Sequence, residues 1–274
     1  MQSRNEVGRR SLINDFRTVE EPYTMPLFQK DTTAIYYEIR GKGYPLLLLP
    51  PGGMRAGIDF WQRTAFNAPE VFAEHFRVIA IDERNSGRSS GPLPAGNPWD
   101  AYLADHIGLL NHLGIEKCLV LGCCMGVSQA LRLLHAAPNR VVAAVLEQPT
   151  GIDEANRSVW SNLWQEWGDE LVAKRPEISR AEFADFHQRV WADGFVMSVS
   201  REAIAACKTP LLVLPGIDLL HPNAVGDEIA RLAPNAERLE PWKEPADLLP
   251  ATIEHIRRFL HKHTPAAART GLPA

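Results

Sequence analysis

Short continuous runs of apolar residues alternate along this chain with longer segments in which apolar residues recur every three or four positions. The continuous runs predict strands buried on both faces, and they begin near residues 46 (LLLL), 78 (VIAI), 118 (CLVLG), 141 (VVAAVL) and 211 (LLVL). The spaced pattern predicts helices, as over residues 99–114, where Leu103, Ile107 and Leu110 share one face. This alternation predicts an α/β fold with a mostly parallel central sheet flanked by helices.

Two regions depart from this rhythm. The segment MPLFQKDTTAIYYEIRGKG predicts two strands joined by a turn at Lys30 and Asp31. Residues 151–208 are polar, carry four tryptophans and contain no strand pattern, so we expect a small helical cap inserted between two strands. The predicted organisation is therefore an N-terminal arm (1–25), a core (26–150 and 209–262), the cap (151–208) and a disordered tail (263–274).

Composition and charge narrow the choice of partners. The chain has 274 residues and a net charge of -4, without a block of lysine and arginine, which argues against nucleic acid or an anionic membrane as partner. No apolar run approaches the roughly 18–20 residues of a membrane span, and the first residues lack the apolar region of a secretory signal. Four cysteines without metal-ligand or disulfide spacing indicate reduced thiols. We expect a cytoplasmic protein without a metal or other cofactor, acting on a small-molecule substrate.

The candidate chemistry centres on the sequence LVLGCCMGVSQAL, where an apolar strand runs directly into a helical pattern. A sharp strand-to-helix turn presents its apical side chain at the N-terminus of the helix and requires small residues two positions before and after the apex. Gly122 and Gly126 have this spacing around Cys124. The helix N-terminus favours the thiolate, which is an intrinsically strong nucleophile. Cys124 is therefore the candidate nucleophile.

Four motifs in the same order resemble those of the α/β-hydrolase superfamily, over about residues 26–260. They are LLLLPPGGM, DERNSGRS, GCCMG and PLLVLPGID. The resemblance implies an oxyanion hole formed by the backbone N–H of Met125 and by the Gly52–Met54 loop, with Gly53 and Met54 as the candidate donors. Cysteine replaces the usual serine, as in some members of the superfamily.

The resemblance also implies a histidine after the last strand, but residues 239–250 contain none and have Trp242 and Lys243 in about that place. Among the nine histidines, only His221 is predicted to lie in a loop at the carboxyl edge of the sheet, where such folds bind ligands. His221 is therefore the candidate base. Its orienting acid is either Asp218, three residues earlier, or Glu147, at the end of a strand, a position that other members of the superfamily use.

The remaining candidates concern the substrate. Lys243 is either a solvated lysine or a residue that binds a substrate carboxylate. The tryptophans of the predicted cap either pack it onto the core or contact an apolar or aromatic part of the substrate, and Trp164 and Trp191 are the candidates for that contact. The resulting hypothesis is a hydrolase of esters, lactones or thioesters that works through a Cys124 acyl-enzyme, as a monomer or homodimer. Two alternatives stay open: a lyase or C–C bond-cleaving enzyme that uses the same pocket, and a ligand-binding protein on a hydrolase fold that has lost its activity.

Overall fold

An eight-stranded sheet forms the centre of the computed structural model, which describes residues 26–192 and 195–268. The order across the sheet is β1-β2-β4-β3-β5-β6-β7-β8. The pairs β1–β2 and β2–β4 are antiparallel and all other neighbouring strands are parallel. The strands are β1 (Leu27–Lys30), β2 (Thr33–Arg40), β3 (Pro45–Leu49), β4 (Arg77–Ile81), β5 (Cys118–Cys123), β6 (Val141–Glu147), β7 (Leu211–Leu214) and β8 (Ala236–Arg238).

Helices cover the sheet on both faces, and two apolar clusters fill the layers between them. The helices are α1 (Ala68–Val71), α2 (Pro98–His112), α3 (Met125–Ala136), α4 (Arg157–Lys174), α5 (Arg180–Val190), α6 (Arg201–Ala206), α7 (Asn223–Leu232) and α8 (Leu249–His263). Short 3₁₀ segments include Gly53–Arg55 and Ile58–Arg63, both of which follow β3. The predicted mostly parallel α/β architecture is confirmed.

The predicted strands all form, and those from the continuous apolar runs are buried along most of their length. Three helices (α4, α5 and α6) occupy the predicted cap segment, and α6 packs against α3 and α7. That packing favours an earlier end to the cap than residue 208, and the division into cap and core stays a prediction. The predicted arm and the second half of the predicted tail, 269–274, lie outside the described residues. Helix α8 extends through His263, and Thr264 is buried beneath it.

The topology brings four chain segments to one edge of the sheet. Strands β3, β5, β6 and β7 are parallel neighbours, so their carboxyl ends lie side by side. The segments that follow them begin at Pro50, Cys124, Gln148 and Pro215. This edge is where the predicted site residues lie close together.

Candidate active site

Cys124 lies at the apex of the turn between β5 and α3. Its backbone has φ 56° and ψ -119°, a conformation that residues other than glycine rarely adopt. A hydrogen bond of 3.0 Å from its N–H to the carbonyl oxygen of Glu147 fixes the turn to the neighbouring strand. The side chain is 9% exposed and borders a cavity. Cys124 is therefore mostly buried at the edge of the core, where it lines a cavity at the end of the sheet.

The two glycines that bracket Cys124 are needed for close backbone packing. A Cβ atom on Gly122 would lie 2.3 Å from the carbonyl oxygen of Gly126, and one on Gly126 would lie 2.1 Å from the carbonyl oxygen of Leu49. Backbone atoms on both sides leave no room for a larger residue. The small residues at these two positions thus permit the sharp turn that exposes the Cys124 thiol.

His221 and Asp218 form a hydrogen-bonded pair in the loop after β7. The distance from His221 Nδ1 to Asp218 Oδ1 is 2.8 Å, and the same carboxylate accepts the backbone N–H groups of Leu220 and His221, each at 3.0 Å. The imidazole is largely buried and borders the same cavity as Cys124. Its Nε2 atom is buried and has no nitrogen or oxygen partner in the described part of the chain. Nδ1 is therefore committed to Asp218, while Nε2 stays available.

Electrostatics favour the protonated form of His221. Burial lowers its pKa, but the negative charge of Cys124 and hydrogen bonds to Asp218 and Cys124 outweigh burial and raise the pKa to about 10. Burial acts to raise the pKa of Asp218, yet the hydrogen bonds and charge of His221 hold it below its usual value. In this loop the ionised form of Asp218 and the protonated form of His221 are therefore favoured, close to Cys124.

Glu147 stands in a different environment, at the last position of β6. Its side chain is fully buried, and neither carboxyl oxygen has a nitrogen or oxygen donor as partner among the described residues. Burial raises its pKa to about 8, against the opposing influence of Lys243, His221 and the Cys123 thiol. Glu147 is near the other site residues, but no hydrogen bond links it to His221.

Lys243 does not border the cavity. Its ammonium group donates a hydrogen bond to the side-chain oxygen of Gln148 and lies 5.3 Å from the centre of the Trp242 ring. Gln148 borders the cavity and has a positive φ of 50°. Lys243 thus holds Gln148, which borders the cavity, and a direct contact between Lys243 and a substrate stays a prediction.

The cavity above Cys124 has a volume of about 220 Å³. This is smaller than the roughly 300–1,000 Å³ typical of ligand pockets, so the space suits a small molecule. Its wall is largely apolar and includes side chains of the loop after β3 and of α4. The residues that line it are Pro51, Gly52, Gly53, Arg55, Phe60, Arg63, Thr64, Cys123, Cys124, Gln148, Trp160, Leu163, Trp167, Leu220 and His221.

The tryptophans that reach the cavity are Trp160 and Trp167, and the predicted Trp164 and Trp191 do not. Trp164 is 1% exposed and stacks on His187 of α5, with ring centres 4.7 Å apart. Trp191 packs against Trp160 and Trp164. Which tryptophan of α4 faces the cavity depends on how α5 packs against this helix, and a substrate contact of Trp164 or Trp191 stays a prediction.

The loop after β3 contributes the other half of the site. Gly52 and Gly53 both border the cavity and have positive φ angles of 110° and 59°. Met54 is buried beside them, and Met125 is buried at the start of α3. As the first residue of the helix, Met125 has a backbone N–H without an intrahelical acceptor. The predicted oxyanion-hole residues therefore lie on the two chain segments next to the Cys124 sulfur.

Helix α4 contacts this loop in two ways. The Trp167 ring lies over Gly53, where a Cβ atom would come within 2.4 Å of it. Arg55 forms ion pairs with Glu166 and Glu170, two acids of α4. We refer to this set (Arg55, Glu166, Glu170 and Trp167 over Gly53) as the α4 clamp. It joins the glycine loop to the predicted cap.

Buried Asp82 fixes the next part of the same loop. Its carboxylate accepts the backbone N–H groups of Ile58, at 2.7 Å, and Arg88, at 2.8 Å, and it also pairs with the Arg88 guanidinium.

Several polar or aromatic residues that border the cavity were not predicted from the sequence, among them Arg55, Phe60, Arg63 and Gln148. Arg55, Phe60 and Arg63 follow the Gly52–Met54 loop closely along the chain, and Gln148 follows Glu147 directly. This closeness in sequence to predicted site residues is the signal that could have identified them.

The family of this chain follows from its similarity to known proteins. A family model described as the alpha/beta hydrolase fold matches residues 45–192, more than half of the 274-residue chain. The chain belongs to the α/β-hydrolase fold family. Among solved structures of this family, MGS-M2, an α/β-hydrolase enzyme from a Medee basin deep-sea metagenome library, superposes with a TM-score of 0.65 at 17% identity. The superposition covers 88% of this chain and 98% of that one.

Curated α/β-hydrolase relatives match over shorter segments. A putative non-heme chloroperoxidase from Synechocystis sp. is 29% identical over 57% of this chain and 56% of its own length. A putative carbamate hydrolase from Serratia proteamaculans is 33% identical over 41% of each chain. The chain thus spans about half or less of the length of these relatives. Their names cover different reactions, so they do not identify the reaction of this chain.

Neither a metal-binding cluster nor a membrane-spanning helix is present among the described residues. No group of three or more His, Cys, Asp or Glu side chains in residues 26–192 and 195–268 is arranged to hold a metal ion. None of the helices in those ranges combines the length and apolar character needed to cross a bilayer.

Proposed function

We propose that this α/β-hydrolase-fold chain is a hydrolase that cleaves an ester, lactone or thioester of a small, partly apolar substrate through a Cys124 acyl-enzyme. One observation carries the proposal: a thiol at the apex of a strained strand-to-helix turn shares a cavity with an imidazole whose other nitrogen is hydrogen-bonded to a carboxylate. A nucleophile, a base and a group that orients the base are the three parts that acyl transfer requires.

The reaction begins with a proton on His221 and a negative charge on the Cys124 sulfur. The sulfur attacks the acyl carbon, a C–S bond forms, and the carbonyl oxygen becomes an oxyanion. When the oxyanion collapses, the bond to the leaving group breaks, and the His221 imidazolium gives its proton to the departing oxygen or sulfur. Water then attacks the thioester while neutral His221 takes its proton, which releases the acid and regenerates the starting pair.

Backbone amides serve the oxyanion in this proposal. The candidate donors are the N–H groups of Gly53 and Met54, in the loop after β3, and of Met125, at the start of α3. Donors fixed in advance need no reorganisation as charge develops, and each contributes on the order of 3 kcal/mol to the barrier reduction. The positive φ angles of Gly52 and Gly53 support this role, because they give the amide groups of this loop orientations that residues with a Cβ atom rarely adopt.

Asp218 is the acid of the proposed mechanism, because it is the carboxylate hydrogen-bonded to His221 Nδ1. That bond selects the tautomer that leaves Nε2 facing the cavity and favours the charged imidazolium. Glu147 has no such contact with His221.

The substrate is a small molecule that packs on Trp160 and Trp167. A cytoplasmic location and a monomeric or homodimeric state remain expectations from the sequence.

Labelling and mass measurement test the proposal. We expect one equivalent of iodoacetamide to modify Cys124 and to abolish cleavage of 4-nitrophenyl acetate, and we expect a mass increase of one acetyl group when the ester is in excess. Cys207→Ala is the matched control, because Cys207 is a partly exposed thiol on a segment that does not border the cavity. Full turnover by Cys124→Ala, or labelling that disappears in the Cys207 variant, would contradict the acyl-enzyme.

A further inference from the structure

The cavity above Cys124 carries an excess of positive charge. Two arginines, Arg55 and Arg63, border it together with His221, and none of the described residues that line it is Asp or Glu. The His221 imidazolium does not add to this excess, because Cys124 and Asp218, which raise its pKa to about 10 against the effect of burial, also balance its charge. An anionic group entering this space is therefore attracted by the arginines and meets no lining Asp or Glu side chain among the described residues.

The two arginines differ in how far their charge is already compensated. Arg55 is occupied by the α4 clamp, since it pairs with Glu166 and Glu170. Hydrogen bonds to these two glutamates raise its pKa above the usual range for arginine. Arg55 is therefore paired with two acids that do not line the cavity, and its charge is largely neutralised before any ligand binds.

The Arg63 side chain borders the cavity and forms no ion pair or hydrogen bond with a side chain or backbone group in the described ranges 26–192 and 195–268. It is the last residue of the 3₁₀ segment Ile58–Arg63, and its side chain is exposed at the cavity. Its guanidinium carbon lies 5.5 Å from the centre of the Phe60 ring, within the distance at which a cation interacts with an aromatic face. Phe60 thus supports a guanidinium group whose hydrogen-bond donors are all unused.

From this arrangement we infer that the substrate carries a carboxylate in addition to the acyl group that is cleaved, and that Arg63 binds this carboxylate. The inference rests on the proposed function and names the substrate class for the same site. A guanidinium matches a carboxylate with two parallel hydrogen bonds, which an ammonium group cannot do. The apolar part of the substrate then packs on Trp160 and Trp167, between Arg63 and the Cys124 sulfur.

An ester pair that differs only in charge tests this directly. The 4-nitrophenyl esters of succinate and of levulinate have chains of nearly equal size, but only the first bears a carboxylate. We expect the wild-type protein to prefer the hemisuccinate in kcat/KM. Arg63→Gln should reduce kcat/KM for the hemisuccinate about tenfold, mostly through KM, which is the loss of one charge-assisted contact. The levulinate should change by less than about twofold, since it does not use the charge.

Two further variants separate recognition from general effects of charge. Arg63→Lys keeps the charge without the bidentate geometry and should restore part of the preference. Arg258→Gln removes an exposed arginine on α8 that does not border the cavity, and it should change neither substrate. Equal losses for both esters in Arg63→Gln, or a hemisuccinate preference that survives in it, would overturn the inference.

A binding measurement keeps this test independent of turnover. Calorimetric titration of Cys124→Ala with the anilides of succinic and levulinic acid reports recognition without a covalent step. We expect the charged anilide to bind about tenfold more tightly than the neutral one, and this difference to vanish in Cys124→Ala/Arg63→Gln. Arg63-dependent binding without cleavage of either ester supports carboxylate recognition and overturns the acyl-enzyme. Cleavage of both esters with no charge preference would support the acyl-enzyme and overturn carboxylate recognition by Arg63.

Discussion

Two carboxyl groups stand at the same edge of the sheet, and their surroundings differ almost completely. The Asp218 side chain is 48% exposed, accepts hydrogen bonds from His221 and Leu220, and has a lowered pKa through its contact with His221. Glu147 is fully buried, has no nitrogen or oxygen donor among the described residues, and has a pKa raised by burial to about 8. Near neutral pH the first is charged and the second is mostly protonated.

The difference shows that closeness to the reacting group does not by itself give a carboxyl group a role. A carboxylate can orient and charge an imidazole only if it is ionised and hydrogen-bonded to it. Asp218 meets both conditions, although it is the more exposed group. Glu147 meets neither, although strand pairing places it opposite Cys123, next to the apex of the turn.

The largest expected effect comes from removing the imidazole that distinguishes the two environments. His221→Gln should lower kcat for an ester substrate by about 10²–10⁴-fold, because His221 is the only histidine that lines the cavity among the described residues. Stopped-flow measurement of the acylation burst would report the loss at the first chemical step. A variant that keeps its burst rate would show that His221 is a loop residue without a part in the reaction.

Asp218→Asn should have the next largest effect, a loss in kcat on the order of 10²-fold. The amide removes a hydrogen bond and a charge that raise the pKa of His221, so that pKa should fall from about 10. Because His221 must be protonated to donate to the leaving group, the alkaline decline of the rate should move to lower pH. A pH–rate profile that keeps its shape in this variant would contradict the assignment of Asp218.

Glu147→Gln should change kcat by less than about threefold at pH 7, because the glutamate is already mostly neutral there. Its effect should appear in stability. The ordinary glutamate pKa of 4.5 is raised to about 8 by burial, so its contribution is fully present below pH 4.5 and is lost as the pH rises through 8. The free energy of unfolding of the wild type should therefore fall between pH 5 and 9 relative to the variant, by an amount on the order of a few kcal/mol.

Urea denaturation at pH 5, 7 and 9 would measure this difference. Glu244→Gln is the matched control, because Glu244 is exposed and should leave the pH dependence unchanged. A large loss of kcat in Glu147→Gln, with the pH dependence of stability intact, would contradict the choice of Asp218 and indicate that Glu147 is the acid of the mechanism.

Lys243→Met should have the smallest effect. The lysine charge acts to lower the pKa of Glu147, so its removal should raise that pKa further. The loss of stability, which begins near the ordinary glutamate pKa, should then extend to higher pH and become larger. KM for both test esters should change by less than about threefold, since Lys243 reaches the cavity only through Gln148. A selective rise in KM for the anionic ester would instead support the direct contact predicted from the sequence.

Most of the sheet could be predicted from the sequence because five of its strands are continuous apolar runs, which burial on both faces requires. Strand β8 was not predicted, because its three residues, Ala236–Arg238, are half-buried or exposed and carry no such pattern. It forms because β7 offers an edge with unpaired backbone groups. Helix α7 was also not predicted, although Val225 and Ile229 lie on one buried face of it.

Within the site, local sequence was informative where the backbone itself makes the geometry. The glycines around Cys124 encode the turn, and the spacing from Asp218 to His221 allows a hydrogen bond within one loop. Long side chains from separate segments were the part that could not be predicted. Whether Trp160 or Trp164 faces the cavity, and whether Arg55 or Arg63 keeps a free charge, depends on how α4 and α5 pack.

The α4 clamp has a consequence for exchanging parts between members of this family. Because Arg55 on the glycine loop finds its acids on α4, a transplanted cap without glutamates at positions 166 and 170 would leave this arginine unpaired above the sulfur. The loop would also lose the indole that rests on Gly53. Chimeras that carry Arg55, the two glutamates and Trp167 as one block should keep the reaction, whereas those that split the block should bind substrate and turn it over slowly.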